Sequence, residues 1–163
     1  MEERGGLPVG PPAPGGELLA EPAVMAAWRT YFETAQRLTT RMGEWMKGDS
    51  GVDLGDFNIL MVLAEAPDRV LAMSVLAERL VFSVPRLSYR VRSLEERGWV
   101  RKEQDPDDRR VQQVHLTQEG AHTLVRVGQV HRQRVRHVFD EVLTREEIEA
   151  LGRITAKIAG AVG

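Results

Sequence analysis

Apolar side chains recur at three- and four-residue spacing in six separate runs, interrupted once by a stretch that alternates. In the first run Trp28, Tyr31, Phe32, Ala35, Leu38, Met42, Trp45 and Met46 form one broad stripe. This predicts a long helix that starts near Pro22, where Pro is tolerated in the first turn, and ends before Gly48. After the Gly48-Asp49-Ser50-Gly51 break, Asp53 is a cap for a second helix carrying Leu54, Phe57, Leu60, Met61 and Leu63, which stops before Pro67. Ser74 is the next N-cap candidate, ahead of Val75, Leu76, Ala77, Leu80 and Val81. A fourth helix is predicted from Val84 to about Arg97, capped by Ser83, with Pro85 in its first turn and Gly98 as its stop. Its buried side is Leu87, Val91 and Leu94.

The period then changes. Trp99 to Glu103 reads as a short strand, Asp105-Pro106-Asp107-Asp108 as a turn, and Gln112, Val114 and Leu116 as the returning strand. Helical spacing resumes at Gln118 and runs to about Leu143 through Leu124, Val127, Val130, Val135, Val138, Phe139 and Val142. Thr144-Arg145-Glu146-Glu147 has capping-box spacing, so a last helix carries Ile148, Leu151, Ile154 and Ile158. The predicted fold is mostly α, with a small β-hairpin. The predicted organisation is a Pro/Gly-rich disordered tail over residues 1–21, a helix over 22–50, a central domain over 53–117 and C-terminal helices over 118–163. The tail cannot bury enough apolar surface to offset its ordering entropy.

Composition narrows the class. With 163 residues, 42% hydrophobic and 28% charged, the chain fits one globular domain with an added part. No apolar run approaches the ~20 residues of a membrane span, and the acidic N-terminus lacks a signal-peptide core, so a cytoplasmic location is expected. Absence of cysteine excludes disulfides, thiolate metal sites and thiol sensors. His115, His122, His131 and His137 cluster in the C-terminal half, but His131 and His137 lack the i, i+4 spacing of a helical ligand pair. They are read as exposed histidines, and neither a metal nor a cofactor is expected. Net charge is −2, yet it is unevenly spread. Residues 1–70 hold 6 Arg/Lys and 11 Asp/Glu, whereas residues 79–110 hold 9 Arg/Lys and 6 Asp/Glu. A local basic patch is enough to contact phosphates.

Two short helices joined by a tight turn, the second carrying Arg on its outer side, have the helix-turn-helix arrangement. Arg86, Tyr89, Arg90 and Ser93 fall away from the buried side and are expected to project outward. Arg pairs bidentately with guanine in the major groove, and Ser and Tyr hydroxyls reach bases or phosphates. The helix alone fits equally a solubilising face that touches nothing. The hairpin tip, Asp108-Arg109-Arg110, shifts that balance. Successive strand residues point to opposite faces, so one Arg can enter a minor groove while the other turns back to the protein or a phosphate, with Asp108 orienting a neighbouring Arg.

These residues resemble the MarR family of winged helix-turn-helix regulators. The resemblance lies in Leu76-Ala77-Glu78-Arg79-Leu80, in Ser83 through Val91, in Leu94 through Val100, and in the spacing Asp108-x-Arg110, five residues, Leu116-Thr117-x-x-Gly120. It runs from about Trp28 to the C-terminus. It implies a sequence-specific transcription regulator, a homodimer whose first and last helices form a dimerisation domain, bound to a pseudo-palindromic double-stranded DNA operator. By position, Ser83, Val84, Pro85, Arg86, Ser88, Tyr89 and Arg90 would line the major groove. Asp108, Arg109 and Arg110 would form the wing tip, with Arg110 in the minor groove. It further implies repression relieved by a small aromatic ligand, drawing by position on Trp28, Tyr31, Phe32, Phe57 and Met61. Aromatics at helical spacing signal burial in a core or dimer interface more often than a pocket. Three departures limit the transfer: without Cys a peroxide sensor is excluded, the Pro/Gly tail is longer than typical, and Tyr89 stands where a basic or polar residue is usual.

The competing classes are an enzyme and a helical interaction module that keeps the fold without binding DNA. There is no phosphate-cradling Gly loop, no His-Glu-x-x-His and no nucleophile elbow, so catalysis has no candidate residues. The intact Arg86, Arg90, Asp108 and Arg110 weigh against the interaction module.

Overall fold

The computed structural model describes residues 22–162; its six α-helices and the β-hairpin follow the order the hydrophobic pattern predicts, and a 3-10 turn at Pro67–Arg69 and one short strand are added between the second and third helices. The expected tail, residues 1–21, lies outside the described residues. Helix α1 spans Pro22–Ser50, α2 Leu54–Glu65, α3 Met73–Leu80, α4 Val84–Glu96, α5 Gln118–Phe139 and α6 Arg145–Val162. Strands β1 (Val70–Ala72), β2 (Val100–Gln104) and β3 (Gln112–Leu116) form one antiparallel sheet in the order β1-β3-β2. The chain divides after Thr40 into two units, one holding the first part of α1 and the other everything from Arg41 onward.

In the first unit, Trp28 stacks on Phe32 with ring centroids 5.5 Å apart and tilts against Tyr31 at 6.3 Å. The i, i+3 and i, i+4 spacing brings the three rings together. All three remain about half exposed, at 54%, 45% and 48% for Trp28, Tyr31 and Phe32.

The second unit is built around one apolar core. Ile59, Leu60 and Leu63 of α2, Leu76 of α3, Leu87, Val91 and Leu94 of α4, and Val100 and Val114 of β2 and β3 are its fully or almost fully buried members. The predicted inner face of α4 is thus the observed one. Asp53 caps α2 as expected, its carboxylate accepting from the Gly55 N–H at 2.8 Å. The capping box at α6 forms too: the Thr144 N–H donates to Glu147 Oε2 at 2.8 Å, and the Glu147 N–H to Thr144 Oγ1 at 3.3 Å.

Five details differ from the sequence expectation. Helix α1 continues past Gly48 to Ser50, because the chain does not turn until Gly51, whose φ of +71° only glycine takes without strain. Helix α3 starts at Met73 behind Ala72 and not behind Ser74, with no side-chain cap. The preceding residues are held extended by pairing Val70 with His115, Leu71 with Val114 and Ala72 with Gln113. This adds a third strand to the predicted hairpin. Ser83 does occupy the N-cap position of α4 with extended backbone, but its side chain makes no capping bond. Helix α5 closes at Phe139, where the Asp140 N–H bonds to the Arg136 carbonyl, short of Leu143.

The α3–α4 turn carries strain. Val81 sits in the left-handed region at φ +53° and is 90% exposed. There its N–H reaches the Glu78 carbonyl and the Phe82 N–H the Ala77 carbonyl, at 3.1 and 2.9 Å, closing α3 in a Schellman-like turn. A β-branched residue in this conformation costs about 1–2 kcal/mol, since its Cβ crowds the following carbonyl.

Candidate nucleic-acid interface

The outer face of α4 is set by its inner one. With Leu87, Val91 and Leu94 buried, the helical period leaves Val84, Pro85, Arg86 and Tyr89 exposed, and Ser88 half-buried at the margin. Ser83 at the N-cap is exposed as well. Tyr89 is 75% exposed, so its ring and hydroxyl are free for a ligand as broad as a duplex. The guanidinium of Arg86 lies over the Phe82 ring, 4.6 Å from its centroid. Phe82 itself packs against the core, so this cation–π contact gives a long flexible side chain a fixed base to extend from.

Arg90 behaves differently from the outward projection the sequence suggested. Its Nη1 donates to Asp53 Oδ1 and to Asp56 Oδ1, each at 2.7 Å. Its side chain is only 22% exposed and that of Asp56 9%. Burial disfavours the Arg90 charge, but the Asp56 hydrogen bond and the two carboxylate charges outweigh this and raise its pKa. Burial likewise pushes Asp53 up, yet the Gly55 N–H and the Arg90 charge hold it below the ordinary carboxylate value. A Cβ on Gly55 would stand 2.8 Å from the Arg90 Cζ, so glycine leaves the guanidinium its seat. Asp53 was legible as a cap, whereas Gly55, Asp56 and Phe82 were missed. An acidic residue on the apolar side of α2 was the available signal, because such a group stays charged only with a partner.

The far end of α4 is tied to the sheet. Glu95 accepts from the Lys102 backbone N–H at 3.0 Å and pairs with its Nζ at 2.9 Å. Next to it, the Leu116-Thr117-x-x-Gly120 spacing gains a physical meaning. The Thr117 hydroxyl donates to the Gly98 carbonyl at 2.7 Å and accepts from the Gly120 N–H at 3.0 Å, while the Thr117 N–H bonds the Trp99 carbonyl at 3.1 Å. A Cβ on Gly120 would fall 2.1 Å from the Trp99 carbonyl oxygen. Only glycine lets α5 begin this close to the chain leaving α4.

Asp105 organises the tip between β2 and β3. Its carboxylate accepts from the N–H groups of Asp107 and Asp108 and from the Gln113 side-chain amide. The Asp108 and Asp107 bonds hold its pKa below the ordinary value. Asp108 in turn takes the Arg110 guanidinium in a fork, Nε to Oδ1 and Nη2 to Oδ2, both at 3.0 Å. That bond holds Asp108 below the ordinary carboxylate value and Arg110 above the ordinary arginine value. Even so, the Arg110 side chain is 90% exposed, a preformed cation on a constrained turn. Arg109 is exposed beside it.

Of the residues expected to draw a small aromatic ligand, Trp28, Tyr31 and Phe32 form the aromatic cluster of the first unit. In the second unit Phe57 is buried, with its ring 4.8 Å from that of His131, and Met61 is half-buried. A separate open groove of about 510 Å³ is lined by Asp49, Val130, Gln133, Arg134 and His137, and contains none of these five. Arg134 crosses it to Asp49 at 2.6 Å.

A helix-turn-helix with an arginine-tipped β-hairpin packed beside its second helix defines a winged helix-turn-helix protein. Residues 50–111 match the family model described as MarR family. A MarR family transcriptional regulator from Streptomyces coelicolor, Sco3205, solved in complex with DNA, is 35% identical over 85% of this chain and 87% of its own, with a TM-score of 0.78. AbsC, a MarR family transcriptional regulator from the same organism, is 30% identical over 85% and 93%, with a TM-score of 0.76. BldR, a transcriptional regulator from Sulfolobus solfataricus, is 25% identical over 82% and 94%, with a TM-score of 0.70. Comparison with curated proteins gives no match. The chain belongs to the MarR family, which is one of transcriptional regulators and not of enzymes. Among the described residues no helix is long and apolar enough to cross a membrane.

Proposed function

We propose that this chain is a sequence-specific DNA-binding regulator, working as a homodimer on a pseudo-palindromic operator and acting as a repressor released by a small aromatic ligand. The observation that carries the reading is the pairing of two separately built surfaces. The outer face of α4 presents Val84, Arg86, Ser88 and Tyr89, and the wing tip holds Arg110 nine-tenths exposed in the grip of Asp108. A helix fits the major groove, and an inserted Arg is attracted by the narrow minor groove beside it. The DNA complex of Sco3205, at 35% identity, supports the same use of the fold. Dimerisation is supported by α6, which has no buried residue although Leu151, Ile154 and Ile158 recur on one face. An isolated helix with an unpartnered apolar stripe is marginal in water. Repression and its relief follow the family resemblance.

The test is selection of bound sequences from a random duplex pool at physiological salt, with Arg110→Ala in parallel. An inverted repeat with half-sites about 10 bp apart is expected for the native chain. Weaker enrichment of the same sequence is expected for Arg110→Ala. No enrichment by the native chain, purified free of small ligands, would defeat the reading in favour of a helical interaction module.

A further inference from the structure

Two arginines one turn apart on α4 are in opposite situations. Arg86 is exposed and steadied from below by Phe82. Arg90 is consumed within the fold: both its short bonds go to carboxylates at the start of α2, and glycine at position 55 makes room for it. One guanidinium between two carboxylates leaves the cluster with a net charge of −1, which repels a phosphate. As an electrostatic contact to DNA it would work against binding. As a mechanical link it joins α4 to the segment directly after the Gly51 turn that ends α1. Together with the Glu95–Lys102 tie at its other end, it adds a polar restraint to the rotation of α4 that the buried Leu87, Val91 and Leu94 set. A rotation by one residue, ~100° for 3.6 residues per turn, would carry Arg86 and Tyr89 off the outer face.

We propose that Arg90 is a positioning residue and not a DNA contact: seated over Gly55 between Asp53 and Asp56, it locks the recognition helix in the orientation that presents Arg86 and Tyr89. The proposal rests on the DNA-binding reading above but makes a claim about α4 that holds in the free protein. Asp56 is its sharpest probe, since the two roles predict opposite signs. Removing an acid from a DNA-binding domain favours binding by charge alone, whereas releasing Arg90 disfavours it.

Full-length native protein, Asp56→Asn, Arg90→Gln, Arg90→Lys and Gly55→Ala are compared in two assays. Affinity for the selected duplex is titrated over a range of salt, and amide hydrogen exchange of α4 is followed without DNA. We expect Asp56→Asn and Arg90→Gln each to weaken binding at least tenfold, and Gly55→Ala to do so several-fold while keeping every charge. Arg90→Lys should recover part of the loss. The salt slope of Arg90→Gln should stay that of the native chain, where loss of a phosphate contact lowers it by about one. Exchange in α4 should quicken at least tenfold in Asp56→Asn. Tighter binding by Asp56→Asn, a slope reduced by about one in Arg90→Gln, or unchanged α4 exchange would each overturn the proposal. Should the native chain select no DNA, the functional reading fails, and the exchange result still decides the clamp.

Discussion

The winged helix-turn-helix and helix α6 use the same apolar residue types to opposite effect. In the former, Leu60, Leu87, Val91 and Leu94 are wholly buried within a single chain. In α6 the helical period is as regular, yet Leu151, Ile154 and Ile158 stay 37–55% exposed and no residue of the helix is buried. The first part of α1 is similar, with its aromatic trio half exposed. A pattern of apolar positions therefore says which face will be covered without saying whether the same chain covers it. The central domain is a complete core; α6 is half of an interface, on the reading proposed above.

Breaking the two regions should separate them. Leu151→Asp has the largest expected effect, conversion of the dimer to a single chain in sedimentation, with helical content of the central domain retained. An unaltered mass would place α6 outside the interface. Leu94→Ala should do the reverse, costing about 2–5 kcal/mol of stability through lost transfer energy and a cavity, with the dimer intact below its melting point. A loss under about 1 kcal/mol in denaturant unfolding would mean the core is not where we put it.

Gly120→Ala sharpens the comparison at the joint between wing and α5. Forcing a Cβ into the Trp99 carbonyl should cost ~1–3 kcal/mol and shift the amide signals of Thr117 and Trp99. A native-like spectrum and stability would show that the contact relaxes freely. The smallest effect concerns pH. Burial lowers the pKa of His131, whose buried Nδ1 has no partner among the described residues, below the ordinary 6.5. The folded state then binds fewer protons than the unfolded one, so this contribution is complete above about 6.5 and is lost as pH falls toward the lower folded value. His131→Leu should flatten the decline of melting temperature below pH 6.5. An identical decline would assign it elsewhere, His115 being the other histidine whose pKa burial lowers, with Arg101 adding to the effect.

What could be read in the sequence was what depends on neighbours in the chain. The inner face of α4, the Asp53 cap and the Thr144–Glu147 box are all set within a few residues, and the structure keeps them. What could not be read depends on distant partners. Strand β1 is three residues long and extended only because β3 pairs with it, some 45 positions away. Arg90 resembles any other outward Arg until Asp53 and Asp56, 37 and 34 positions earlier, come within 2.7 Å. For the same reason helical and strand period, with the family resemblance, could offer candidates on α4 and at the wing tip, while Gly55 and Asp56, which meet Arg90, and Phe82, which lies under Arg86, gave no such signal.

The most direct test of the whole account is the mass of the native chain bound to its selected duplex, measured under native conditions. Two chains per inverted repeat are predicted on the proposed reading, in which each central domain reads one half-site and α6 pairs with a second copy. One chain per duplex, or no complex at all, would contradict it.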